Sequence, residues 1–241
     1  MIEITGLKKS FNGHPVLNGI DLRVEKNQIV SIIGESGSGK SVFLKLVMGF
    51  LIPDEGKIII NGTDINLLRE KELLELRKNI GYLFQESALF DFMTVYDNLA
   101  FSLRENTKFS ELEIKKKVKD ALYRVELHNI EEKLPEELSG GMKKRIGIAR
   151  AIIMEPKIFL CDEPTAGLDP NKSLSIMQLI SGIARSLKSA SIIVSHDVSN
   201  VLRFSDTIAL LYEGKLITKG TKEEICKTQQ KEVRQFLMLD N

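Results

Sequence analysis

No stretch of the 241-residue chain holds the roughly 20 consecutive apolar residues that a membrane-spanning helix needs. The chain is therefore expected to reach a membrane only through a partner. Cysteine is scarce. Cys161 in an apolar run and Cys226 in a polar segment make neither a disulfide framework nor the paired spacing of a metal site, and ordinary thiols of a reducing compartment are expected. An excess of charge is also lacking. With 34 Lys+Arg against 33 Asp+Glu the formal net charge is +1, so no overall field draws the chain to nucleic acid or anionic lipid. The opening Met1-Ile2-Glu3-Ile4 has neither the charged nor the apolar region of a secretory leader and reads as a strand, which predicts a cytosolic chain. There is no internal repeat and no low-complexity segment.

What is present is organised in blocks. Up to about residue 85 the chain is rich in short strands, at 3–7, 16–24, 29–33, 57–60 and 80–84, separated by turn pairs such as Asn12-Gly13 and Asn61-Gly62. One helix, 40–50, interrupts them. The runs 158–161 and 191–194 are apolar without alternation, as expected of parallel strands covered on both faces, and a helix over 173–187 lies between them. That β-α-β unit predicts an α/β core. Between 94 and 134 the period turns helical. Ser110 with Glu113 makes a capping box, and Ile114, Val118, Ala121, Leu122 and Val125 continue an apolar stripe, so a helical lobe is expected here. Lys115, Lys116, Lys117 and Lys119 on this helix are interspersed with acidic residues and read as a solvated face rather than a nucleic-acid patch. A hairpin is expected around Glu213-Gly214, a second capping box at Thr221 and Glu224, and a terminal helix over 232–239 with Val233, Phe236 and Leu237 on one face.

Gly34-Glu35-Ser36-Gly37-Ser38-Gly39-Lys40-Ser41 follows a predicted strand and opens a predicted helix, the context that a phosphate-binding loop requires. Curled backbone and a helix N-terminus supply N–H groups and positive potential. Lys40 is expected to reach the β- and γ-phosphates, and Ser41 to offer its hydroxyl to Mg²⁺. Asp162 and Glu163 end a buried strand, where open α/β sheets bind ligands. Asp162 suits Mg²⁺ and Glu163 suits an attacking water. His196, just past the next strand, is placed to reach the same water, whereas His14 and His128 are given no role. Ser139 is a natural N-cap, and Gly140 and Gly141 bare backbone N–H groups at a helix start, which makes a second anion site. A chain with one phosphate loop has no evident use for it within itself.

In this order, these motifs resemble the ABC ATPase family over essentially the whole chain. The resemblance implies a P-loop NTPase (RecA-like) α/β core with an N-terminal antiparallel β subdomain and an inserted α-helical subdomain, as one domain. Residues 1–93 and 155–220 would form the core and β subdomain, 94–154 the helical lobe with its signature helix, and 221–241 a helical tail. It implies ATP and Mg²⁺ as ligands. Ser139, Gly140 and Gly141 would touch the γ-phosphate of ATP held by the loop of a second copy, which Val42 closes. Residues 162–169 resemble the Walker B motif and D-loop. Gln85 would be the Q-loop glutamine, near metal and water, His196 the switch histidine, and Phe11 the aromatic against adenine. Met142, where many relatives have Gln or Glu, lacks a hydrogen-bond donor. Phe11, where Tyr is common, keeps its stacking face.

Two kinds of machine fit, a transporter and a non-transport ABC assembly such as a cell-division or lipoprotein-release regulator. A single cassette argues against a translation factor. The 99 positions from Lys40 to Ser139, without sustained heptads, argue against a repair clamp. Segments 83–91 and 95–105, Gly140-Gly141-Met142-Lys143-Lys144-Arg145 and 233–237 are similar to the Mla/Mkl-type ATPases of phospholipid trafficking. That similarity implies a peripheral subunit on the cytoplasmic side of a bacterial inner membrane. Its partners would be an MlaE-like permease held in the groove after Gln85, an MCE-domain protein and a small regulatory subunit, with no nucleic acid. Leu89 and Phe90 are candidates for that groove or for plain core packing.

Overall fold

The computed structural model describes residues 1–237. Strands β1 (Ile2–Phe11) and β2 (His14–Val24) form a hairpin whose turn, Asn12-Gly13, has φ of 50° and 79°, as a two-residue connection between twisted strands demands. β4 (Glu55–Ile60) and β5 (Thr63–Asp64) extend the same antiparallel sheet in the order β2-β1-β4-β5.

The second sheet contains β3 (Ile29–Ile33), β6 (Ile80–Leu83), β7 (Ile158–Asp162), β8 (Ala190–Ser195), β9 (Thr207–Tyr212) and β10 (Lys215–Gly220). Its order is β10-β9-β3-β8-β7-β6, parallel except for the β9–β10 hairpin. Every residue of β3, β7 and β8 is buried, which explains their unbroken apolar runs. Successive side chains serve opposite faces. Ile158 and Leu160 join Val30, Ile32 and the buried side of α1 (Lys40–Val47), together with Ile2 and Ile20 of the first sheet. Phe159 and Cys161 join α6 (Pro170–Leu187) through Ile176, Met177 and Ile180.

That second face also receives the helical lobe. α3 (Val95–Asn106) and α4 (Glu111–Arg124) pack on α5 (Gly140–Ile152), and Ile114, Val118 and Leu122 share one continuous core with Ile146, Phe159 and Ile193. The lobe is thus an extension of the main core. The Ser110–Glu113 capping box is present, with Ser110 N–H donating to Glu113 at 2.8 Å. α7 (Val198–Phe204), α8 (Lys222–Cys226) and α9 (Lys231–Phe236) follow, and Ile225, Val233 and Leu237 close over Ile33, Ile208 and Leu210. Positions 238 and 239 of the expected terminal helix lie outside the described residues.

Two expectations change. The strand-rich first block holds a second helix, α2 (Glu70–Arg77), which fully buries none of its residues and so shows no strong apolar stripe. Helix ends at Arg124 rather than near 134; Glu126 and Asn129 take positive φ, and the chain turns through this stretch while burying Val125 and Ile130.

Candidate phosphate-binding and catalytic site

Parallel strands share a direction, so their carboxyl ends form one edge, and the order β3-β8-β7-β6 places four chain exits side by side. The 34–41 loop leaves β3, His196 follows β8, Asp162 ends β7 with Glu163 after it, and Gln85 comes just after β6. Residues separated by as many as 160 positions meet there for this reason. A cavity of about 440 Å³ is lined by Ser36, Gly37, Gly39, Lys40, Ser41 and Val42 on one side and by Gln85, Glu163, Ala166 and His196 on the other.

Gly39 precedes α1 with φ 103°, a conformation that a side chain would strain, and it turns the loop into the helix start. Lys40 is buried. Its ammonium donates to the carbonyls of Gly34 at 2.8 Å and Glu35 at 2.9 Å, and it lies 3.3 Å from the Glu163 carboxylate. The Ser38 hydroxyl is buried without a partner among the described residues. Ser41 donates to Asp162 at 2.9 Å, and the second Asp162 oxygen accepts from the Tyr82 hydroxyl at 3.1 Å. A hydroxyl and a carboxylate held this close are hard oxygen donors of the kind that Mg²⁺ takes, so the residues fit the ion. Burial, then the charge of Asp162, pushes the Tyr82 phenol far above its ordinary range, so it remains a donor at any working pH.

Glu163 has φ 45°, in the left-handed region where a non-glycine residue costs on the order of 1–3 kcal/mol. Its N–H is tied to Val194 O at 2.9 Å, and its carboxylate accepts from the His196 N–H at 3.1 Å and lies 2.8 Å from His196 Nδ1. A strained backbone held this way points a carboxylate over the phosphate loop. His196 stays 62% exposed, open to whatever enters.

Four residues expected at a nucleotide lie elsewhere. Ser139 caps α5, accepting from Met142 N–H at 3.3 Å, and neither it nor Gly140 or Gly141 lines the cavity. A Cβ on either glycine would meet nothing within 4 Å, so packing inside this chain gives no reason for glycine there. Phe11, 40% exposed at the tip of the first hairpin under the Lys9 ammonium, is also outside the cavity lining. Sequence reasoning missed Tyr82 and Lys144. Tyr82 stands in a strand three residues before Gln85 and gives no local signal. Lys144 is buried and donates to the Gln85 carbonyl; burial lowers the pKa of its ammonium, against the pull of Glu86 and Glu163.

Of the apolar pair after Gln85, Leu89 packs against the main core, whereas Phe90 lines an open groove of about 550 Å³ with Phe84, Phe101 and Leu74. Cys161 is a buried thiol whose pKa is raised by burial, in keeping with an inert role.

Comparison with known proteins agrees with this geometry. The family model described as "ABC transporter" matches residues 17–166. A protein of Mycobacterium tuberculosis named a probable ribonucleotide transport ATP-binding protein, mkl, is 43% identical over 98% of this chain, which spans 66% of that protein's length. The intermembrane phospholipid transport system ATP-binding protein MlaF of Haemophilus influenzae is 39% identical, over 98% of this chain and 90% of its own. Among solved structures, the ATP-binding cassette MJ0796, a dimer in a post-hydrolysis state with ADP and Pi, superposes with a TM-score of 0.85 at 30% identity, covering 92% of this chain and 99% of that one. With four strand ends converging on a phosphate loop and a cassette similar from end to end, the chain belongs to the ABC transporter family as an ATP-hydrolysing, Mg²⁺-using ATP-binding subunit of the Mla/Mkl type.

Proposed function

We propose that this subunit hydrolyses ATP at a site shared between two copies of itself, and that closure of the pair drives a permease that moves phospholipid. One observation carries the shared site: a capped helix start with two glycines faces open space, outside the chain's own phosphate cavity. The N–H groups there form an anion site that needs a second molecule to supply the anion.

Within the site, residues 34–42 cradle the phosphates and Lys40 exchanges its carbonyl and Glu163 contacts for phosphate oxygens. Ser41, Asp162 and Gln85 would hold Mg²⁺, which when bound would neutralise charge on the phosphates. Glu163 orients the attacking water, and His196, held by Glu163, faces the transferred group. Ser139, Gly140 and Gly141 of the second copy complete the γ-phosphate shell, and Phe11 stacks on adenine.

No helix among the described residues is long and apolar enough to cross a membrane, so force must pass through a partner. The groove with Phe84, Phe90 and Phe101 supports a permease resembling MlaE as that partner, at the cytoplasmic side of a bacterial inner membrane. An MCE-domain protein and a small regulatory subunit complete the assembly. The name of one relative supports phospholipid as cargo, and that of another points to ribonucleotide.

The test is the complex purified from membranes and reconstituted in vesicles, assayed for ATP-dependent transfer of labelled phospholipid and of labelled ribonucleotide in parallel. Lipid transfer is expected, and Phe90→Glu should abolish it and release the permease with ATP affinity changed less than about twofold. Ribonucleotide transfer without lipid transfer would replace the cargo and leave the ATPase reading intact.

A further inference from the structure

The segment between β6 and α3 is held in place by side chains of α5. Lys144, Gly147 and Arg150 stand three apart along α5 and therefore share a face. Lys144 donates its ammonium to the Gln85 carbonyl. A Cβ on Gly147 would sit 3.0 Å from Ser87 Cβ, so α5 lies against Ser87 as closely as a missing side chain allows. Arg150 donates to Ser87 O and Ala88 O, each at 2.7 Å, and its guanidinium lies 5.9 Å from the Phe90 ring centroid. The held backbone is strained: Ser87 and Ala88 are consecutive left-handed residues, with φ of 62° and 46°, and neither is glycine. Left to itself, such a pair relaxes toward ordinary φ, and its inward-turned carbonyls lose their donors.

From this we infer that Lys144 and Arg150 are positioning residues for ATP hydrolysis. They tie the main chain of 85–88, and with it Gln85 in the lining of the phosphate cavity, to the helix whose start meets the second copy's nucleotide. The inference rests on the shared-site reading above. An α-helix is stiff along its axis, so seating 139–141 on the partner's phosphate shifts all of α5. Two cations bonded to three successive-region carbonyls then carry that shift to Gln85 at one end of the segment and to Phe90 of the groove at the other. Arrival of the second copy and placement of the glutamine become one event.

The experiment compares Lys144→Met, Arg150→Met and Lys144→Arg with the parent, in the isolated chain and in the permease complex, with Lys144→Gln standing in if Lys144→Met does not fold. Nucleotide affinity and KM should stay within about twofold while kcat falls about tenfold in the Met variants, and Lys144→Arg, which keeps a cationic donor, should recover most of the loss. Amide hydrogen exchange over 85–88 should slow in the parent when ATP joins two copies and should no longer respond in the Met variants. Folded Met variants with parental kcat and a parental exchange response would overturn the inference, as would a loss confined to KM or one that Lys144→Arg does not repair. The shared-site reading is checked first, on Glu163→Gln alone. If ATP does not join two copies of that variant, the shared site fails and this inference fails with it; if it does, the Lys144 and Arg150 results bear on the inference alone.

Discussion

Glu163, the acidic residue lining the cavity, is held on several sides: left-handed backbone, an N–H bonded to Val194, one carboxylate oxygen near Lys40 and the other on His196. Replacing it with Gln keeps the shape and removes the charge proposed to orient and deprotonate water. Steady-state hydrolysis of Glu163→Gln should fall by about 10²-fold or more while equilibrium ATP binding persists, and binding lost together with turnover would mean that the residue serves the ground state instead. Tyr82 bears on the proposed metal site. Its hydroxyl occupies the Asp162 oxygen that Ser41 leaves free, so Tyr82→Phe removes a hydrogen bond to a charged acceptor without removing a metal ligand. With such bonds contributing about 1.5 kcal/mol or more, the Mg²⁺ concentration for half-maximal hydrolysis should move roughly tenfold or more, in a Mg²⁺ titration at saturating ATP. An unmoved midpoint would show that Asp162 is oriented by Ser41 alone.

The connection from β6 to α3 shows how side chains can replace regular hydrogen bonding. Asn98, buried on α3, accepts from Phe90 N–H at 2.8 Å and donates to the carbonyls of Phe90, Met93 and Thr94 at 3.1, 3.0 and 3.0 Å, doing for this loop what a neighbouring strand would do. Asn98→Ala leaves those groups unpartnered and should cost about 2 kcal/mol, seen by calorimetry as a melting temperature lower by roughly 4–8 °C for a domain of this size. Much of the architecture is legible in the residues themselves: β7 and β8 announce parallel burial by lacking alternation, and the Ser110 and Thr221 capping boxes announce α4 and α8. The phosphate loop and the carboxylates at the end of β7 follow from motif and context together. The clamp on 85–88 does not follow, because the period of α5 marks a buried face without revealing that an ammonium on it meets a carbonyl 59 residues earlier. Nor are Leu89 and Phe90 separable as letters. Two left-handed residues just before them turn the chain so that one enters the core and the other the groove. α2 escaped notice for the opposite reason, a helix with too little to bury.

An unpaired feature in a single copy is the strongest indication of how two copies work. The N-terminus of α5 brings together a capping hydroxyl, two glycines whose Cβ positions are open, and backbone N–H groups that no side chain among the described residues covers except at Met142. Positive potential at a helix start attracts a phosphate, and the phosphate loop of the same chain lies in a cavity that these residues do not line. Symmetry then provides the solution: in a two-fold pair, whatever the start of α5 gives to the partner's nucleotide, the partner's α5 returns, so two sites are completed together. Ser139→Arg tests this at a position exposed in one copy. The longer side chain fills the space proposed for the phosphate and removes the cap, at a cost to the helix of about 1 kcal/mol, too little to unfold the chain. Each copy should therefore fold and bind ATP with parental affinity. In the Glu163→Gln background, where the parent is expected to pair on adding ATP, the Ser139→Arg variant should stay monomeric in sedimentation, and with Glu163 intact hydrolysis should fall to the level of unpaired chains. Mixing Ser139→Arg with Lys40→Ala sharpens the result. A mixed pair holds one site with an intact phosphate loop facing an intact α5 and one site with both defects, so the mixture should regain turnover that neither variant has alone, whereas a site complete within one chain would show no such rescue.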